Sequence, residues 1–453
     1  MVHTYSLNGY YIAVDGNSGA IHFLDKVAFD MLQGETQFPL LANIKDKLNE
    51  RYAVAELEEV YHEIEQLNND EMLFSKAENL EAAIREKPVN HALKALCLNV
   101  AHDCNLRCDY CFASEGDYQC GRTLMSTEVA LKAVDYLLQE SKGRRSIEID
   151  FFGGEPLMNF DVVKEVVSYG RSLEKKMDKS FYFTITTNGT LLDDEKINYI
   201  NQNMDNVVIS IDGRKDIHDA VRHDQKGRGS YARILPLAQR LVAGRNGKSY
   251  FVRGTFTARN KDFSKDVMHL FDQGFSEVSV EPVVGAGRDF HFIEADVSEI
   301  MSEYDKLALL YLERIIEEPQ LRFYHFNIDV FKGPCLYKRV TACGAGYEYL
   351  AVSPEGLLYP CHQFVGQDGF SVGDINNGIV NQSLCEYFEQ TNILKKEACS
   401  ECWAKLFCSG GCHANAFFSN GSILEPNEVA CKLQRKRIEC AIMIQAAKID
   451  KGV

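Results

Sequence analysis

The sequence has no run of about eighteen or more apolar residues, so no membrane span is expected. Its opening residues, Met1-Val2-His3-Thr4-Tyr5-Ser6, hold neither the basic nor the apolar region of a signal peptide, and a cytoplasmic protein is expected. Basic side chains are in deficit: 49 Lys and Arg face 65 Asp and Glu, a net charge of -16. That balance argues against nucleic acid as a partner and is compatible with a basic peptide. Proline is scarce too, ten in 453 residues, and the apolar share of 45% is that of an ordinary soluble protein with a real core. At this length about two or three domains are expected. Cysteine is the residue in surplus. Fifteen of them without an export signal point to metal ligands kept reduced, not to a disulfide framework.

Three of these thiols sit in Cys104-Asn105-Leu106-Arg107-Cys108-Asp109-Tyr110-Cys111, spaced C-x3-C-x2-C, directly after a short apolar strand, Leu96 to Ala101. One loop of this kind can wrap a single inorganic cluster. A cubane 4Fe-4S cluster takes four ligands, and nothing adjacent offers the fourth. Cys120 lies past the polar stretch Ser114 to Gln119, so one iron is left open to a non-protein ligand. Three close cysteines with His102 also suit a structural zinc ion, which stays open at this point. The octapeptide resembles the three-cysteine loop of the radical S-adenosylmethionine (SAM) enzymes, including the aromatic Tyr110 before the last cysteine. The resemblance implies that SAM chelates the open iron through its amine and carboxylate, and that an electron from the cluster cleaves it to a 5'-deoxyadenosyl radical.

Residues 1 to about 85 read as a small unit. Short strands at Tyr5 to Leu7, Tyr10 to Val14 and Ala20 to Leu24 are punctuated by Asn8-Gly9 and Asp15-Gly16-Asn17 turns. Helices follow near Lys26 to Leu32, Leu40 to Glu50 and Ala53 to Asn68, the last with Leu57, Val60, Ile64 and Leu67 on one face. This is the order of a winged helix-turn-helix, yet Lys45, Lys47 and Arg51 are answered by Asp46, Glu50, Glu56, Glu58 and Glu59, and a DNA reader needs a basic face. Beside a radical SAM core the unit is similar to the leader-recognition domain of peptide-modifying enzymes. There a precursor's leader adds as an extra strand to an exposed sheet edge. Lys76 to Lys94 reads as a charged helical linker.

From Leu96 onward strand and helix alternate six times. Strands are expected at Leu96 to Ala101, Ser146 to Phe152, Phe181 to Thr186, Asn206 to Ile211, Tyr250 to Thr255 and Glu277 to Val283, with helix N-caps at Ser126, Asn159 and Asp193. Such alternation argues for a parallel sheet with helices outside, a partial barrel whose site residues cluster at the C-terminal strand ends. Gly153-Gly154-Glu155-Pro156 stands at one such end: the glycines admit a close backbone approach and Glu155 offers a carboxylate to an ammonium group. It resembles the family's GGEP motif, which binds the SAM amino group. Asn188 and Ser210 match family positions for hydrogen bonds to SAM ribose or carboxylate. Arg253, costly inside an apolar strand if unpaired, has two solutions, the SAM carboxylate or Glu281. Arg222 carries no assignment.

The last third carries a second cysteine set. Cys343 and Cys361 read C-x12-G-x4-C, and Cys399, Cys402, Cys408 and Cys412 read C-x2-C-x5-C-x3-C, before Cys431. With His362 or His413 two zinc sites are conceivable. After a radical SAM barrel the order resembles the SPASM domain, which binds two auxiliary 4Fe-4S clusters. That resemblance implies a distal cluster on Cys399, Cys402, Cys408 and Cys431 and a nearer one on Cys343, Cys361 and Cys412, with Cys335 or an open iron in the fourth place. Sulfatase-maturing relatives carry an Asp base where this chain has His362, which counts against formylglycine formation. Cys97, Cys120, Cys385 and Cys440 read as buried small hydrophobes.

The full pattern, with Cys343-Gly344-Ala345-Gly346 and Tyr359-Pro360-Cys361-His362-Gln363-Phe364, most resembles the maturases of SCIFF peptides, which are cysteine-rich ribosomal peptides crosslinked by thioethers. The expected fold is α/β: a partial (β/α)6 TIM-like radical SAM barrel at 96–317, a winged-helix-like leader-recognition domain at 1–85, a linker at 86–95 and a SPASM domain at 318–453. The resemblance implies three 4Fe-4S clusters and SAM as cofactors, a cysteine-rich precursor peptide with its leader as substrate, and an electron donor such as ferredoxin or flavodoxin. Other SPASM chemistry on a peptide and a metal-bearing winged-helix transcription factor are the rival expectations.

Overall fold

The computed structural model describes residues 1–85, 92–284, 289–330 and 335–452. The N-terminal strands β1 (Val2–Leu7), β2 (Tyr10–Asp15) and β3 (Ile21–Leu24) form an antiparallel sheet in that order. They precede α1 (Lys26–Leu32), α2 (Leu41–Leu48) and α3 (Val54–Asn69). Asp25 caps α1 by accepting a hydrogen bond from the Ala28 amide at 2.7 Å. Leu57, Tyr61 and Ile64 recur at helical spacing along α3 and bury themselves against Met31, Leu32, Ile44 and Leu48. The other side of β2, through Ile12 and Val14, joins the main core of the molecule.

The main sheet begins at β4 (Ala95–His102), followed by β5 (Ser146–Gly153), β6 (Ser180–Thr187), β7 (Asn206–Ser210), β8 (Ser249–Phe256) and β9 (Glu277–Pro282). All neighbouring pairs are parallel: Leu96 lies opposite Ile149, Ile149 opposite Phe183, Ile185 opposite Val207, Val207 opposite Tyr250 and Val252 opposite Val278. Each of the six expected strands is present within a few residues of its reading. Alternate positions such as Ile147, Ile149 and Phe151 are buried under the outer helices, which is the packing that a parallel sheet requires.

The sheet extends beyond these six strands. Arg322–Phe323 adds a short parallel strand beside β9. Tyr349–Val352, from the cysteine-rich last third, adds another beside β4, with Ala351 opposite Cys97. A four-residue strand after Gly-rich sequence carries too little periodicity to be read alone.

Three local readings are corrected. Asn159 stands at the N-cap position of the helix Phe160–Met177 as expected, but its side chain makes no capping bond; its amide donates instead to the Val100 and Met125 carbonyls at 2.8 and 2.9 Å, and a short 3-10 turn, Pro156–Asn159, leads into the helix. The helix at Ala77–Arg85 is not a free linker, since Leu80 is buried against Val340, Ile393 and Leu406, and 86–91 lie outside the described residues. Cys97, Cys385 and Cys440 are buried as expected, but Cys120 is exposed. Among the described residues no helix is long and apolar enough to cross a membrane.

Candidate active site at the strand ends

A cavity of about 260 Å³ opens at the C-terminal ends of the barrel strands. Cys104, Cys108 and Cys111 line it, and so do His362, Gln363 and Cys412 from the last third. Sequence separated these two groups by more than half the chain. The sheet brings them to one space.

Backbone contacts anchor the start of the three-cysteine loop. Gly154 packs so tightly under it that a Cβ there would lie 2.2 Å from the Asp103 carbonyl oxygen, and its amide donates to Ala101 O at 2.7 Å. The Glu155 amide donates to Asp103 O at 2.9 Å. A three-residue strand, Leu106–Cys108, pairs with Arg222–Asp224, setting Arg222 opposite Cys108. Burial pushes the Cys104 thiol up to about 12, helped by Glu155, and the Cys108 thiol up to about 11 against the Arg222 charge. Thiols in such a place stay protonated until positively charged metal replaces the protons.

The remaining expected site residues fall around this loop in different roles. Gly153, Gly154, Tyr110, Asn188, Ser210 and Arg253 line the cavity. Asn188 Nδ2 donates to Asn105 Oδ1 at 2.9 Å and lies 3.6 Å from Cys104 Sγ. Glu155 is fully buried and is not part of the lining. Its carboxylate accepts from Thr187 Oγ1 at 2.6 Å, the Asn188 amide at 2.7 Å and the Leu157 amide at 3.0 Å, tying the end of β6 to the end of β5. Arg253 Nε donates to Glu281 Oε1 at 3.1 Å inside the cavity. Against the upward push of burial, Arg253 and then His325 hold the Glu281 carboxyl down to about 2.

Sequence reasoning missed a charge cluster beside Cys108. The Tyr110 hydroxyl donates to the Asp212 carboxylate at 2.8 Å and accepts from Arg222 Nη1 at 2.6 Å, and Arg222 is 3.9 Å from Asp212. Asp212 and Arg222 are buried and Tyr110 is partly so. Their one sequence signal is polar residues standing at a strand end and beside a short helix, Lys215–Val221.

Next to them His218 is buried, accepting from the Asp212 amide at Nδ1 (3.3 Å) with Ser230 Oγ 2.8 Å from Nε2. Burial first, then Arg222, hold its imidazole down to about 2 from an ordinary 6.5. The unfolded chain therefore takes up a proton at His218 as pH falls below about 6.5 that the folded chain refuses, and stability drops with pH in that window. The melting temperature should fall between pH 7.5 and 5.5. His218→Gln should flatten that slope by up to about 1.4 kcal/mol per pH unit below 6.5; an unchanged slope would count against the neutral buried ring.

Two further thiol groups occupy the last third. Burial, then Cys412 and Cys343, push the Cys361 thiol well up, so these three act on one another. Only Cys412 of the three lines the cavity. Cys399, Cys402, Cys408 and Cys431 form the second group: burial raises Cys399 to about 12, with Cys408, Cys431 and Cys402 adding to it and Lys396 opposing. Cys335 is exposed at the start of the helix Leu336–Thr341, and 331–334 lie outside the described residues. Among the described residues no group of three or more His, Cys, Asp or Glu side chains is set to hold a single metal ion.

Comparison with known proteins agrees with this layout. Residues 98–248 match the Radical SAM superfamily, and residues 343–403 match SPASM, an iron-sulfur cluster-binding domain. The two matches fall in chain order on the strand-helix repeats and on the cysteine-rich last third. It is similar to the cysteine-type anaerobic sulfatase-maturating enzyme of Clostridium novyi, 24% identical over 355 residues covering 73% of this chain and 91% of that one. It is also similar to the antilisterial bacteriocin subtilosin biosynthesis protein AlbA of Bacillus subtilis, 27% identical over 337 residues covering 71% and 67%. Among solved structures, Streptococcus suis SuiB bound to its precursor peptide SuiA has the same fold, with a TM-score of 0.54 at 16% identity over 94% of this chain and 98% of that one.

Proposed function

We propose that this protein is a radical SAM enzyme that forms thioether crosslinks in a cysteine-rich ribosomal peptide. The observation that carries the reading is the shared cavity, lined both by Cys104, Cys108 and Cys111 and by Cys412, with His362 and Gln363. Crosslinking needs a carbon and a thiolate to meet within reach of the same reactive centre, and one cavity lined by both cysteine groups is compatible with that proximity. The three-cysteine loop fits a cluster: three partly buried cysteines line a common space over a glycine whose Cβ would meet the Asp103 carbonyl. When bound there, the cluster would supply the electron that cleaves SAM to the radical that takes hydrogen from the peptide. Cys343, Cys361 and Cys412 would hold a second cluster and Cys399, Cys402, Cys408 and Cys431 a third, with Cys335 a candidate for the remaining ligand.

The protein's own part is placement and exclusion. Asn188, Ser210 and Arg253 offer polar contacts to the ribose and carboxylate of SAM, with Arg253 already anchored by Glu281. Phe152 and Phe112, around His362, keep water from the radical. The leader of the peptide would add to β3, which among the described residues pairs only with β2, and the exposed Phe23 on that strand would contact it. A ferredoxin or flavodoxin would supply electrons, and reducing cytoplasm would keep the thiols free. Residues 1–85, 96–317 and 318–453 are the proposed functional divisions, joined through 86–95.

The test is the mass of a cysteine-rich peptide encoded beside this gene, produced anaerobically with the protein, reduced and alkylated. Loss of two hydrogens per link, with those cysteines protected from alkylation, is expected; an unmodified peptide despite 5'-deoxyadenosine release would remove the thioether assignment. The likeness to sulfatase-maturating enzymes favours a second reading, oxidation of one side chain without a link. It predicts a modified peptide without pairwise thiol protection. For the leader, Phe23→Glu should lower peptide turnover about tenfold, the effect of roughly 1.4 kcal/mol, while SAM cleavage without peptide continues. Equal peptide turnover would exclude β3 as the docking edge.

A further inference from the structure

Two lysines are buried beside the Cys399, Cys402, Cys408 and Cys431 group. Lys396 is 1% exposed and donates from Nζ to the Gly410 carbonyl at 2.8 Å. Lys405 is 4% exposed and donates to the Ser400 carbonyl at 2.9 Å and to Asn17 Oδ1 at 2.7 Å. Among the described residues neither ammonium has a carboxylate within ion-pair distance. A buried charge without a counterion is costly enough that lysine in such a place ordinarily loses its proton or finds an anion. Burial pushes both ammonium groups down. The groups pushing Lys396 back up are the thiols of Cys399, Cys408, Cys412 and Cys431, and for Lys405 they are Glu401 and then Cys402, Asp15 and Cys399.

Asn17 comes from the N-terminal unit, 388 residues away from Lys405 in the chain. It sits in a turn that is itself fixed. The buried Asp15 carboxylate accepts from the Asn17 and Ser18 amides at 3.0 and 2.8 Å, from the Ser75 amide at 3.0 Å and from the Ser75 hydroxyl, while Asn17 Nδ2 donates to Ser75 O at 2.7 Å. The turn docks against Trp403, next to Cys402: a Cβ on Gly16 would lie 2.8 Å from Trp403 Cα, and the His3 ring stacks on the indole at 4.2 Å.

We propose that Lys396 and Lys405 are the built-in counter-charges of the centre held by Cys399, Cys402, Cys408 and Cys431, and that Asn17 of the N-terminal unit positions the second of them. The inference rests on the reading of those cysteines as cluster ligands. A four-thiolate cluster is anionic and becomes more so when it takes an electron. Fixed ammonium groups in a low-dielectric surround therefore favour its reduced form and raise its potential. Arg437 near Cys408 and Arg435 near Cys431 add to the same field. Because coupling is reciprocal, the oxidation state of this centre and the docking of the N-terminal turn bias each other.

The experiment uses the full chain, reconstituted anaerobically with iron and sulfide, as wild type, Lys396→Met, Lys396→Arg, Lys405→Met and Asn17→Ala. Iron is counted, and each protein is titrated with dithionite while the clusters are followed by electron paramagnetic resonance. One cluster signal should shift to lower potential in Lys396→Met and Lys405→Met, by about tenfold in the reduced-to-oxidised ratio, or ~59 mV for one electron. Lys396→Arg should stay at the wild-type value, and Asn17→Ala should shift in the same direction by less, with Trp403 fluorescence unchanged. Full iron with unshifted potentials in both methionine variants overturns the proposal. Should Lys396→Met lose iron, Lys405→Met and Asn17→Ala carry the same decision. A Cys399→Ala/Cys402→Ala variant that keeps all the iron of wild type overturns the cluster reading itself, independently of any potential.

Discussion

Replacing Cys104, Cys108 and Cys111 together with alanine abolishes production of 5'-deoxyadenosine from SAM. This is the largest effect expected of any change in the chain, because it removes every thiol that the loop presents to the cavity. The variant should still fold. The loop is held by Gly154 and Glu155 amides donating to Ala101 and Asp103 carbonyls and by the short strand pairing with Arg222–Asp224, none of which uses a cysteine side chain. Circular dichroism should therefore match wild type while iron content falls by one cluster. Persistent 5'-deoxyadenosine in the triple variant would sink the assignment of the first cluster.

The second large effect is one of stability. Arg222→Met leaves Asp212 buried with Tyr110 as its remaining side-chain partner, and breaking a buried charge pair costs about 3–5 kcal/mol. Asp212→Asn in the same protein removes the uncompensated charge, so the double variant should be more stable than Arg222→Met alone. Thermal melts of the two single variants and the double variant measure this coupling directly. An Arg222→Met protein that melts with wild type would show that the guanidinium is not holding Asp212. Loss of SAM cleavage should accompany the loss of stability, since Arg222 lies opposite Cys108 on the short strand beside the loop.

Much of this site was legible because its chemistry is local in sequence. Three cysteines within one octapeptide report a metal loop whatever surrounds them, and Gly153-Gly154 reports a close backbone approach, found here against the Asp103 carbonyl. Strand positions were legible as well, since runs such as Ile147, Ile149 and Phe151 carry a period of two. The role of Glu155 was not. Its carboxylate satisfies Thr187, Asn188 and Leu157, a job set by where β6 ends relative to β5. Arg222 and Asp212 escaped for the same reason: a three-residue strand has no periodicity, and its partner lies 114 residues earlier.

The sequence by itself determined that the barrel strands run parallel, and it pointed to the metal ligands and to the acidic character of the N-terminal unit. Those properties follow from spacing, periodicity and charge, which are read along the chain. Only the tertiary structure decided which groups meet. Tyr349–Val352 joins the barrel sheet beside β4, and Cys412 reaches the cavity of Cys104. A turn near the N-terminus delivers Asn17 to a lysine 388 residues away. Such encounters depend on packing and on burying apolar surface between distant segments, and neither leaves a trace in the spacing of residues along the chain.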